Sequence, residues 1–137
     1  MAGSDSRDKQ RGEPDSYRIS FTKCFGSPVP APYIYWMPGS VAGDVVGTLH
    51  VGGYDLHPVG ELHTFLEADY IVAAGDRSFI ARLGGRLINA TGDAEMSGYV
   101  SDGWLEGAQV TNKLHATGPG CFAGTLRIDP QWVHDGD

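Results

Sequence analysis

The sequence predicts an all-β domain in which about seven or eight antiparallel strands close into a barrel behind a disordered N-terminal tail. Three observations lead there. Apolar and polar residues alternate with a period of two in segment after segment. Clusters of Gly, Pro, Asn and Asp recur between those segments at short intervals. Gly supplies 20 of 137 residues, about twice the ordinary share, which disfavours helices and suits bends and bulges. Connections this short join antiparallel neighbours, because a parallel pair needs a crossover of about a dozen residues or more. A twisted sheet of that many strands around one core hides its edges by closing on itself.

In chain order, Met1 to Ser16 hold almost nothing apolar and cannot offset the entropy of being ordered, so 1–16 reads as the tail and 17–137 as one domain. Tyr17, Ile19 and Phe21 alternate with Arg18, Ser20 and Thr22, a strand over about 17–22 with one buried face. Prolines at 28, 30, 32 and 38 surround Tyr33, Ile34, Tyr35, Trp36 and Met37. Proline removes ladder donors, so this segment reads as an edge strand or an extended covering loop. Val45 to Val51 forms a strand ended by Gly52-Gly53, with Val45, Leu49 and Val51 on its apolar face and His50 pointing away.

Glu61 to Ala74 lacks Gly and Pro and carries Leu62, Phe65, Leu66, Tyr70 and Ala73 at helical spacing. A helix would, however, turn Ile71 and Val72 partly toward its polar side. Strand alternation instead places Leu62, Leu66, Ala68, Tyr70 and Val72 on one face and Glu61, His63, Glu67 and Asp69 on the other, so Leu62 to Val72 reads as a long strand. The remaining strands are Ser78 to Leu83 resuming as Arg86 to Asn89 after Gly84-Gly85, Ala94 to Val100, Trp104 to Ala116, and Cys121 to Ile128. Ala74-Gly75-Asp76, Ala90 to Asp93, Ser101-Asp102-Gly103 and Thr117 to Gly120 supply the turns. Gly84-Gly85, Gly47, Gly98, Gly107 and Gly124 suit barrel corners. The tripeptide Gly47-Thr48-Leu49 recurs as Gly124-Thr125-Leu126.

Composition narrows the partners. Ten basic against seventeen acidic side chains give a formal charge of −7, which repels phosphate backbones, so nucleic acid is not expected. No stretch approaches the roughly 18 apolar residues of a membrane helix, and the polar start lacks the apolar segment of a secretory signal, so no membrane partner and a cytoplasmic location are expected. In that setting Cys24 and Cys121 read as free thiols. No CxxC or Cys-His spacing surrounds them. An apolar outer face, if present, would point to a homo-oligomer.

The run Gly84 to Val100, with Thr91-Gly92 at its turn and Gly98-Tyr99 late in the following strand, resembles the strand-turn-strand segment of the allene oxide cyclase and dirigent β-barrels. The resemblance spans seventeen residues, Gly84-Gly85-Arg86-Leu87-Ile88-Asn89-Ala90-Thr91-Gly92-Asp93-Ala94-Glu95-Met96-Ser97-Gly98-Tyr99-Val100. It implies an eight-stranded antiparallel barrel with an apolar lumen. It further implies cofactor-independent chemistry, in which pocket shape folds a reactive small molecule so that its reacting atoms meet. No catalytic residue transfers with it, since no family motif outside this hairpin is matched.

The expected function is thus an apolar-small-molecule-binding barrel acting as a cofactor-independent cyclase or isomerase of secondary metabolism. Tyr35, Trp36, Tyr70 and Trp104 shape the pocket, and His63 with Glu67 is the candidate acid-base pair. On one strand those two residues stand about 13 Å apart, so a direct contact needs a bulge or a helix. A non-catalytic lipocalin-type carrier is the alternative. A third reading is a cupin-like metal enzyme using His50, His57, His63 and Glu67, four candidate ligands within eighteen residues. Against it, the paired histidines that open the cupin motif are missing, since position 61 is Glu. Taken alone, Trp104 reads as a core residue ahead of a ligand platform, and Trp132 is expected to pack the C-terminal segment onto the barrel.

Overall fold

A computed structural model describes residues 15–130. The expected tail lies almost wholly outside the described residues, as does Trp132. Eight strands follow one another round a closed antiparallel barrel: β1 (Tyr17–Cys24), β2 (Tyr35–Gly43), β3 (Gly47–Val59), β4 (His63–Ala73), β5 (Phe79–Ile88), β6 (Ala94–Gly103), β7 (Gln109–Gly118) and β8 (Cys121–Asp129). Pairing of β1 with β8, from Tyr17 opposite Ile128 to Cys24 opposite Cys121, closes the ring. Among the described residues no helix is long and apolar enough to cross a membrane.

The alternating pattern is the cause of this fold. Along β1, Tyr17, Ile19, Phe21 and Lys23 are buried while the residues between them are exposed, and Val110, Asn112 and Leu114 repeat the pattern on β7. In β4 the strand reading holds over the helical one: Ala68, Tyr70 and Val72 are fully buried and form part of the core. Of the recurring Gly-Thr-Leu tripeptides, one opens β3 and the other lies within β8. A Cβ at Gly47 would lie 2.2 Å from the Ala73 carbonyl oxygen and one at Gly124 2.3 Å from that of Lys113, so a neighbouring strand crosses where no side chain fits. The leucines that follow, Leu49 and Leu126, are fully buried.

Several boundaries differ from expectation, each for a physical reason. Gly52-Gly53 does not end β3, which runs through to Val59 with a register shift between Gly53 and Asp55. Each glycine instead accepts an aromatic ring. Tyr35 crosses Gly53 on the inner face and Tyr33 covers Gly52 on the outer one, so close that a Cβ would lie 1.9 and 2.6 Å from those rings. The proline-rich segment continues into β2, which pairs on both sides because a closed barrel has no edge. Pro38 is accommodated because the ladder with β1 begins one residue later, at Gly39 opposite Lys23. Trp104 opens no strand: residues 104–107 form a turn with Leu105 and Gly107 at positive φ, and Ser101-Asp102-Gly103 belongs to β6. Gly107 accordingly serves a turn and not a strand corner.

Cys24 and Cys121 are bonded as a disulfide, contrary to the free-thiol expectation. Barrel closure makes them cross-strand partners despite a separation of 97 residues. That proximity is a property of the closed sheet and has no local sequence signal.

Candidate functional site

The barrel has two unlike ends. At the lower one, where β1 starts, Trp104 meets Tyr17 edge-on at 4.8 Å and Phe79 at 6.1 Å. The Arg77 guanidinium caps this cluster, 5.0 Å from the Trp104 ring, and donates to the Asp44 carbonyl. Above it Ile19, Leu49, Val51, Val72, Ala81, Val100, Leu126 and Ile128 fill the lumen almost without exposure.

Toward the upper end, where β1 finishes beside β8, the inward row opens. Along β5, Phe79, Ala81 and Leu83 are buried but Gly85 and Leu87 only half-buried. On β8, Phe122 and Gly124 are half-buried above the buried Leu126 and Ile128, and on β4 Leu66 is half-buried above Ala68. Phe25, Leu56, Leu62 and Ile88, at or just beyond the ends of β1, β3 and β5, are large apolar residues left exposed.

Beneath this mouth lies a polar group enclosed by apolar walls. Lys23, the fourth inward residue of β1, is only 6% exposed, and its Nζ donates to the Tyr70 hydroxyl at 2.9 Å. Asn112 Nδ2 donates to the same hydroxyl at 2.9 Å, and the Tyr70 hydroxyl faces Met96 Sδ at 3.8 Å. Asn112 Oδ1 is buried without a hydrogen-bond partner. The Lys23 Nζ lies 4.8 Å from the Tyr70 ring centroid and 5.7 Å from that of Phe122. Burial in these surroundings disfavours charge and lowers the Lys23 pKa to about 7. Burial likewise raises the Tyr70 pKa, with the Tyr35 hydroxyl adding to the shift, and pushes Tyr35 up to about 12.

The residues expected from the sequence divide between this lumen and other places. Tyr35 and Tyr70 face the upper lumen. Trp36 lies on the outer wall, stacked on His50 at 5.1 Å, and Trp104 plugs the opposite end. His63 and Glu67 fall on the outward row of β4, alternating with the buried Ala68 and Tyr70, and Glu67 lies against Gly84. His57 contacts Asp55 at 2.8 Å, and its ring lies tilted against Phe65 at 5.1 Å. Among the described residues no three His, Cys, Asp or Glu side chains gather in a metal-holding arrangement, so His50, His57, His63 and Glu67 do not converge.

Lys23 and Asn112 were not among the expected site residues, although their signal was present. Lys23 follows Tyr17, Ile19 and Phe21 on the odd row, and Asn112 stands between Val110 and Leu114. Polar residues interrupting apolar rows announce a buried polar group.

Two further features complete the surface. Asp69 accepts hydrogen bonds from the Tyr33 hydroxyl at 2.9 Å and from Arg82 Nε at 3.2 Å, and Arg82 lies over the Tyr54 ring. That bond to Asp69 raises the Arg82 pKa. A broad open groove is lined by hydroxyl residues, among them Ser20, Thr22, Ser40, Thr111 and Thr125, by the titratable His63, Arg86, Glu95 and Lys113, and by Asn112 of the trio, but by neither Lys23 nor Tyr70. The enclosed trio combines a low-dielectric amine, a phenol and an open acceptor, whereas the titratable side chains of the groove are half-buried or exposed. Compared with known proteins, the chain matches no family model, no curated protein and no solved structure.

Proposed function

We propose that this barrel binds an apolar small molecule through its upper mouth, setting the ligand's one polar group against Lys23, Tyr70 and Asn112. The observation that carries the reading is the unpartnered Oδ1 of Asn112, whose amide shares the Tyr70 hydroxyl with a buried amine, in a barrel with exposed Phe25, Leu56 and Leu62 toward the same end. Pockets for such ligands combine apolar walls with a few converging polar groups. The resemblance to allene oxide cyclase and dirigent barrels supports a cofactor-independent cyclase or isomerase. There the walls fold the substrate, and Lys23 and Tyr70 take the proton-handling part that the sequence suggested for His63 and Glu67.

A non-catalytic carrier of lipocalin type is the second reading, favoured by the same mouth. The formal charge of −7 argues against nucleic acid as a partner. The Cys24–Cys121 bond favours an oxidising compartment over the cytoplasm.

The test is saturable enhancement of N-phenylnaphthylamine fluorescence, with displacement by decanol. Lys23→Met should leave decanol binding nearly intact and weaken decanoate binding by about tenfold, the loss of one charge-assisted contact. Equal loss for both ligands, or no saturable binding by the unaltered protein, refutes the placement.

A further inference from the structure

Lys23 is buried in aromatic surroundings, and its amine touches a phenol hydroxyl at 2.9 Å that a second donor, Asn112, holds in place. Among the described residues no carboxylate pairs with it, and its amine hydrogen bond runs to Tyr70. A lysine kept for an ion pair would have an anion beside it, and one kept for solubility would reach water. Such an enclosed amine, held against a phenol, is placed to act as a nucleophile, since burial lowers its pKa to about 7 and leaves a large free-base fraction at neutral pH.

We infer that Lys23 is a covalent capture site for an apolar aldehyde or ketone, forming an imine in the upper lumen with Tyr70 as the proton relay and Asn112 Oδ1 as acceptor. This rests on the binding mode proposed above and names its ligand class. The nitrogen lone pair adds to the carbonyl carbon, and the C=O π pair moves to oxygen, which takes the Tyr70 proton. Tyr70 recovers a proton from the nitrogen, giving a carbinolamine whose hydroxyl donates to Asn112 Oδ1. Loss of that oxygen as water, with the second amine proton, leaves a carbon-nitrogen double bond, so carbonyl plus amine gives imine plus water. Neither oxidant nor reductant is required. The elevated Tyr70 pKa keeps the phenol protonated for its role.

The chain carries its own control. Of its three lysines, Lys9, Lys23 and Lys113, the last is exposed on the outer face of β7. Full-length protein is treated with decanal and sodium cyanoborohydride at neutral pH, and the alkylated lysines are located by peptide mass mapping. Lys23 should be labelled at least about tenfold faster than Lys113, as expected of a desolvated amine. Tyr70→Phe should slow labelling at saturating decanal, beyond any change in affinity read separately by decanol displacement of N-phenylnaphthylamine. Lys23→Met should abolish the fast label while retaining a cooperative melt.

Labelling of Lys113 at the same rate as Lys23 overturns the inference. Decanol binding without fast Lys23 labelling overturns the imine but leaves the binding reading standing. Absence of both overturns the two together.

Discussion

A lysine with a pKa of about 7 inside a barrel makes stability depend on pH in a defined direction. Below that value both the folded and unfolded chains carry the proton, and the full cost of burying the charge applies. Between about 7 and the ordinary lysine value of 10.5 the unfolded chain binds up to one more proton than the folded one, so stability rises with pH through that window. The shift corresponds to about 3–5 kcal/mol across the whole interval. Urea titrations from neutral to mildly alkaline pH should show the rise, and Lys23→Met should flatten it while stabilising the protein at neutral pH. A Lys23→Met protein with the same pH slope as the parent would show that another group is responsible. Asn112→Leu removes one donor to Tyr70 together with an unsatisfied acceptor, so it should change stability by less than about 1 kcal/mol. Both residues were legible in the sequence as breaks in an apolar row. What was not legible is which end of the barrel they share, because that depends on the register of β1, β4 and β7.

Among the elements, β3 and β2 illustrate what alternation reveals and what it hides. The inward rows of β1, β3 and β4 followed directly from period-two spacing, as the burial of Leu49, Val51, Ala68 and Tyr70 shows. The continuation of β3 through Gly52-Gly53 did not, since those glycines are filled by Tyr35 and Tyr33 from outside their own strand. Gly53→Ala should therefore cost about 1–3 kcal/mol by overpacking against the Tyr35 ring. In a Tyr35→Ala background much of that cost should vanish, and a denaturation double-mutant cycle measures the coupling. Additive effects would mean that the ring does not occupy the glycine position. Similarly, Trp104 read as the start of a strand because its neighbours are turn residues. Tertiary contact with Tyr17 and Phe79 draws it instead into the lower plug, and no local pattern announces that.

At the scale of the whole molecule, the pairing of first and last strands makes the barrel an all-or-none object. A chain ending before Cys121 would lack β8 and expose the inner faces of β1 and β7, so it should show no cooperative thermal transition. A two-state melt from such a chain would contradict this view of the fold. The all-β class and closure were readable from glycine content and short turns. The identity of the proposed ligand was not, because an apolar lumen constrains shape and polarity and leaves many molecules equivalent. The disulfide lies at the seam, and the chain-entropy relation for a loop of this length gives about 4–5 kcal/mol, lost on reduction. Its topological effect is separate from its energy. From Cys24 to Cys121 the backbone and the sulfur bridge form one covalent macrocycle, with both chain ends outside it. A single proteolytic cut at an exposed turn such as Gly60 would open that ring without releasing a fragment, and the cleaved protein would migrate as two pieces only after reduction.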